Sequence, residues 1–309
     1  MFDHLPQRVT IKEVGPRDGL QNEKTFVPTE AKKIFIQKLI DAGLPNVEIT
    51  SFVHPKWIPA LVDSHEIGST FSNVPGVKTN ALVPNMKGLE NAEQAGMEVA
   101  SLFMSATDGH NKANVNRTVA ETLKNFEELI PTAKAKGMWV NAGISVVYGC
   151  PFEGVVPVKR VMEIVQALLE MGADEINIAD TIGVAHPLQV KQVMEQVLTL
   201  APPERFAVHF HDTEGTAVAN SLAALELGIT NFDGAVGGLG GCPYAPGATG
   251  NVPTEHLVYT FEKMGIDTGV DLEKLYDAAI YIQEALGRKL DSNGLRAYLG
   301  RKQKQESRA

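Results

Sequence analysis

The chain has 309 residues, of which 44% are hydrophobic and 21% charged, and a formal net charge of -9. That length allows one large barrel or two ordinary domains, and the composition is neither disordered nor membrane-like. The acidic balance excludes a nucleic-acid partner, because no basic stripe offsets it.

The N-terminal MFDHLPQRVT lacks the form of a signal peptide, and no apolar stretch reaches membrane-span length, so no membrane partner is expected. Two cysteines, Cys150 and Cys242, cannot build a disulfide framework and point to a reducing, cytoplasmic setting.

Short β-branched runs alternate with helical patterns along the chain. The expected strands are residues 9–14, 47–52, 78–83, 98–104, 139–147, 175–179, 206–210 and 231–236. Helical patterns fall between them, over 29–42, 86–95, 118–136, 157–171, 187–200 and 216–227. Gly43, Gly96, Gly137, Gly172 and Gly228 each stand just past a helix, where a left-handed cap residue belongs. Helix, glycine stop, then strand, repeated, is the pattern of a parallel sheet.

Eight such units fit an α/β fold of the (β/α)8 TIM-barrel type. An open doubly wound sheet would carry a phosphate fingerprint in its first turn, and Gly15-Pro16-Arg17-Asp18-Gly19 is not one. After the eighth strand an amphipathic stretch, residues 271–286, predicts further helix. The division expected is a catalytic barrel over 1–265 and a C-terminal helical extension over 266–309 packed on it.

The segment from Gly238 to Asn251, GLGGCPYAPGATGN, can only be a loop. Glycines suit close approach to a ligand, and a thiol in such a loop, Cys242, is placed to do chemistry. Cys150, in GCPFEG, echoes it without the surrounding glycines and reads as structural.

Active groups of a TIM barrel lie at the C-terminal ends of its strands. Those ends carry Arg17, Asp18, Glu48, Asp180, His209 and His211, and the eighth leads into Cys242 and Asn251. Two histidines at i and i+2 on a strand share a face and can share one metal ion. Asp18, His209, His211 and Asn251 together offer two oxygens and two nitrogens. That set suits octahedral Mg²⁺ or Mn²⁺, with two positions open for a bidentate oxygen ligand such as a hydroxy acid.

Arg17 can stabilise a developing enolate or carboxylate. Glu48 and Glu13 are strand carboxylates expected to orient Arg17 or nearby polar groups. Asp180 ends the run Ile176, Ile178, Asp180, which predicts that it faces inward as a base or as a partner for a histidine, with a helix N-cap as the third option. The remaining histidines, His54, His65, His110, His186 and His256, have no ligand spacing and read as surface or core residues.

The segments GPRDGLQNE (15–23), TSFVHPKWIP (50–59), ADTIGV (179–184), HFHDTEG (209–215) and GLGGCPYAPGATGNVPTE (238–255) closely resemble the 3-hydroxy-3-methylglutaryl-CoA (HMG-CoA) lyase family. The resemblance runs from about residue 8 to residue 287, and the cysteine loop is its most specific part. It implies a TIM barrel with a divalent metal, cleaving an acyl-CoA substrate to acetyl-CoA and acetoacetate, with leucine breakdown as the setting. Asp18, His209, His211 and Asn251 would be metal ligands. Arg17 would stabilise the enolate, Glu48 and Asp180 would support the site, His209 or Asp180 would be the base, and Cys242 would move protons. Coenzyme A enters through the resemblance alone.

Barrels of this kind associate, which sets a dimer or tetramer as the expectation. Departures from the family pattern occur at Ala179, Thr107 to His110, Glu214, Asn141 to Gly143, and Gly234-Ala235. They leave open a sister lyase acting on another acyl-CoA such as citramalyl-CoA. A condensing synthase is the further alternative, against which the cysteine loop argues.

Overall fold

Each expected apolar run forms a strand, and the eight pair in parallel, in chain order, to close a barrel. The computed structural model describes residues 5–240 and 250–307. The strands are β1 (Thr10–Glu13), β2 (Asn46–Ser51), β3 (Lys78–Leu82), β4 (Val99–Ser105), β5 (Trp139–Ser145), β6 (Glu175–Asp180), β7 (Phe206–Phe210) and β8 (Asn231–Gly234). Closure runs from β8 back to β1, with Thr10 opposite Asn231 and Lys12 opposite Asp233.

Helices cover the sheet because their apolar residues recur every three or four positions. The helix Val158–Glu170 buries Val161, Ile164, Val165 and Leu168 on one face. The helix Val119–Ala135 starts in a capping box, with Thr118 and Glu121 each accepting from the other's backbone N–H. The five glycines expected to stop helices all have positive φ, between +77° and +96°, as a left-handed cap requires.

The eighth barrel helix is Thr254–Lys263, and two more follow, Leu272–Leu286 and Asn293–Glu306. The first of these buries Leu275, Ala278, Ala279 and Ile282 in the same core as the barrel residues. Among the described residues no helix is long and apolar enough to cross a membrane.

Candidate active site

A cavity of about 760 Å³ opens at the C-terminal ends of the strands. Its wall includes Arg17, Asp18, Glu48, His209, His211 and Asp233. Asp18 stands on a wide turn over Gly15–Gly19, in which the N–H groups of Arg17, Asp18 and Gly19 converge on the Val14 carbonyl. His209 and His211 share one face at the end of β7, with ring centroids 5.2 Å apart.

The potential ligand atoms of Asp18, His209 and His211 all lie within 4.8 Å of one another, one metal-sized cluster. Asn251 joins them through a backbone bridge to His211, and its Nδ2 donates to Asp18 Oδ2 at 2.8 Å and to the Leu239 carbonyl at 2.9 Å. The four residues singled out as ligands therefore meet at one point.

Their electrostatics suit a cation. Burial works against the Asp18 carboxylate, but the Arg17 guanidinium and the two imidazoles outweigh it and hold its pKa well below the usual range. Burial, aided by His209, pushes the His211 imidazole down to about 3, so it is neutral. Its Nδ1 is buried with no hydrogen-bond partner among the described residues. A neutral imidazole, an anionic carboxylate and an amide at one point fit a divalent ion.

Arg17 lies beside this cluster. Its Nε and Nη2 reach Glu48 Oε2 at 2.8 and 2.6 Å, and its Nη1 reaches Asp18 Oδ1 at 2.7 Å. Glu48 thus orients Arg17, as expected. Glu13 serves nearby polar groups instead, accepting from Gly15 N–H, Val236 N–H and Thr254 Oγ1 at 2.8, 3.0 and 2.6 Å.

Asp180 is not where the sequence pattern put it. The residues of that segment lining the cavity are Asn177, Ala179 and Thr181, so the face carrying Ile176, Ile178 and Asp180 is the outward one, against the helices. Asp180 is fully buried, and its Oδ2 accepts from Ala185 N–H at 2.8 Å. It braces the loop after β6, while His186 caps the helix that follows by accepting from Gln189 N–H.

Cys242 lies outside the described residues. Cys150 is buried, with Sγ 3.1 Å from Thr107 Oγ1, consistent with a structural part. His110 is a core histidine that also lines the cavity, with Nδ1 2.7 Å from Ser105 Oγ. Of the positions departing from the family pattern, His110, Asn141, Gly143 and Ala179 line the cavity, whereas Glu214 is exposed and does not line it.

Three polar residues behind His209 went unnoticed in the sequence: Lys12, Asn177 and Asp233. Each is a polar residue within a short strand, and each is buried. Asp233 Oδ2 lies 3.1 Å from His209 Nδ1 and 2.7 Å from Asn177 Nδ2, and its Oδ1 is 3.1 Å from Lys12 Nζ.

A sequence-family pattern described as HMGL-like matches residues 8–282. The hydroxymethylglutaryl-CoA lyase of Bacillus subtilis (strain 168) is 49% identical over 293 residues, 95% of this chain and 98% of that protein. A crystal structure of the Bacillus subtilis HMG-CoA lyase superposes with a TM-score of 0.93 at 49% identity, covering 95% of this chain and 99% of that one. An HMG-CoA lyase from Acinetobacter baumannii, solved in complex with coenzyme A and 3-methylmalate, is 40% identical with a TM-score of 0.89, over 93% of this chain and 94% of that one.

Proposed function

The chain belongs to the HMGL-like family, and we infer that it is an oxo-acid lyase cleaving HMG-CoA to acetyl-CoA and acetoacetate. The observation that carries this reading is 49% identity to a hydroxymethylglutaryl-CoA lyase across 95% of the chain, joined to a site where Asp18, His209, His211, Asn251 and Arg17 converge.

A divalent cation, Mg²⁺ or Mn²⁺, held by Asp18, His209, His211 and the amide oxygen of Asn251, would supply the Lewis acidity that makes a tertiary hydroxyl easy to ionise. The family resemblance implies His209 or Asp180 as the base. Asp180 faces away from the cavity, and His209 has Nδ1 on Asp233, so its Nε2 would be the atom that holds the cation. The hydroxyl proton passes to solvent in the open cavity, and its loss lets the oxygen form the ketone of acetoacetate. The carbon–carbon bond breaks, and its electron pair becomes the enolate of acetyl-CoA. Arg17, set by Glu48, stabilises the enolate oxygen. Cys242 donates its thiol proton to the enolate carbon and the thiolate regains one from solvent, so the proton released from the hydroxyl and the proton taken up cancel.

The same reading assigns leucine breakdown as the pathway, the cytoplasm as the compartment, residues 266–309 as an extension of a single catalytic barrel, and a dimer or tetramer as the assembly. The test is a panel of 3-hydroxyacyl-CoA substrates, including citramalyl-CoA, with Mg²⁺ or Mn²⁺. HMG-CoA should give acetyl-CoA and acetoacetate in equal amounts. Turnover of another member of the panel without HMG-CoA would refute the substrate. Release of free CoA from acetyl-CoA and a 2-oxoacid would instead mark a synthase.

A further inference from the structure

We propose that Asp233, held by Lys12 and Asn177, is a positioning residue that fixes the His209 imidazole for a divalent cation. The sheet register lines the groups up. Lys12 on β1 and His209 on β7 both stand directly opposite Asp233 on β8, one on each side. The contacts follow that row: Lys12 Nζ to Asp233 Oδ1 at 3.1 Å, and Asp233 Oδ2 to His209 Nδ1 at 3.1 Å. Asn177 Nδ2 adds a bond to the same Oδ2 at 2.7 Å, which restricts rotation of the carboxylate.

An ionised carboxylate can only accept, so His209 carries its proton on Nδ1. The Nε2 lone pair is then the one left for the ion. A carboxylate behind a ligand imidazole fixes the ring and raises its basicity, and losing such a partner weakens metal binding about 10–100-fold. Lys12 has a reason to be there. A buried carboxylate with no counter-ion would be driven toward its protonated form, and a lysine only 6% exposed stays charged beside a buried anion. The pair thus presents a fixed acceptor to His209 at little net charge.

The competing account makes the ion pair a clasp closing β8 onto β1, with His209 a bystander. The experiment uses the full chain, stripped with a chelator and titrated with Mn²⁺, with thermal unfolding of the same samples alongside. Asp233→Asn should weaken Mn²⁺ binding at least about tenfold. The double variant Lys12→Met/Asp233→Asn removes both buried charges and should recover thermal stability, yet keep the weakened Mn²⁺ affinity. Imidazole ¹⁵N shifts of the metal-free chain should report a proton on Nδ1 of His209 in the parent and a tautomer mixture in the variants. Mn²⁺ affinity in the double variant within twofold of the parent would overturn the inference and leave only the clasp. The inference rests on the metal-site reading, and the two fail differently: a parent chain that binds no Mn²⁺ sinks that reading itself.

Discussion

Arg17 and Glu48 lie 31 residues apart, yet Glu48 Oε2 takes both Nε and Nη2 of the guanidinium, at 2.8 and 2.6 Å. The remaining Nη1 is on Asp18. One planar cation therefore spans a carboxylate on β2 and a carboxylate at the candidate metal position, and its plane is fixed before substrate arrives. Pre-set orientation matters where charge develops only in the transition state.

The first prediction follows from that geometry. Arg17→Lys keeps the charge but cannot span both carboxylates, because an ammonium is a compact point charge on a flexible stem. We expect kcat on HMG-CoA to fall about 10²–10³-fold, the loss typical of removing one transition-state donor, with a smaller change in KM. Glu48→Gln should produce a milder fall and leave Mn²⁺ affinity unchanged, since Glu48 is not a ligand. Steady-state kinetics with a parallel Mn²⁺ titration decide it. Full activity in Arg17→Lys would remove the orientation argument.

The second prediction concerns the thiol. If Cys242 returns the proton to the enolate carbon, Cys242→Ala should lose about 10²–10⁴-fold in kcat, the usual worth of a positioned acid. Mn²⁺ affinity should hold, because the thiol is outside the ligand set. A fully active alanine variant excludes the residue from the mechanism.

How much of this site could be read from the sequence depended on whether the signal was local. His209 and His211 were legible because a two-residue spacing on a strand fixes a shared face whatever surrounds it. Asp18 and Asn251 were legible because motif-rich turns at strand ends converge on one rim. Asp180 misled for a physical reason. Strands of a closed parallel barrel are buried on both faces, so the apolar pair Ile176 and Ile178 marks the helix-facing side. The small and polar Asn177 and Ala179 mark the inside. Asp233, Lys12 and Asn177 stayed hidden because their meaning is the register between β1, β7 and β8, and no single strand carries it.

A third prediction tests how closely the backbone crowds the candidate ligands. Gly240 has φ +102°, and a Cβ added there would fall 2.5 Å from Asn251 Nδ2. That amide also bonds Asp18 and the Leu239 carbonyl, so it has little room to yield. Gly240→Ala should displace Asn251 and weaken Mn²⁺ binding by about tenfold or more, beyond the ~1–2 kcal/mol of backbone strain. Calorimetric titration measures it, and unchanged affinity would argue that Asn251 is not a ligand.

The fourth prediction is a pH dependence carried by Glu13. This carboxyl is fully buried and joins three segments, through the N–H groups of Gly15 and Val236 and the hydroxyl of Thr254. Burial raises its pKa from 4.5 to about 7, against the lowering by those three donors. The native state therefore holds a proton that the unfolded chain has released between pH 4.5 and about 7. Stability from this group is complete below 4.5 and is lost as pH rises through 7, by roughly 3 kcal/mol over the window. Glutamine keeps an oxygen for the two N–H groups and can donate to the Thr254 hydroxyl, but it cannot ionise. Unfolding in urea at pH 5 and pH 8 should show Glu13→Gln gaining on the parent by up to about that amount at the higher pH. Other titrating groups, including the carboxylates and histidines of the cavity, are common to both chains and cancel in the difference. Parallel curves for parent and variant would mean that Glu13 is ionised throughout, its burial fully offset by the three donors.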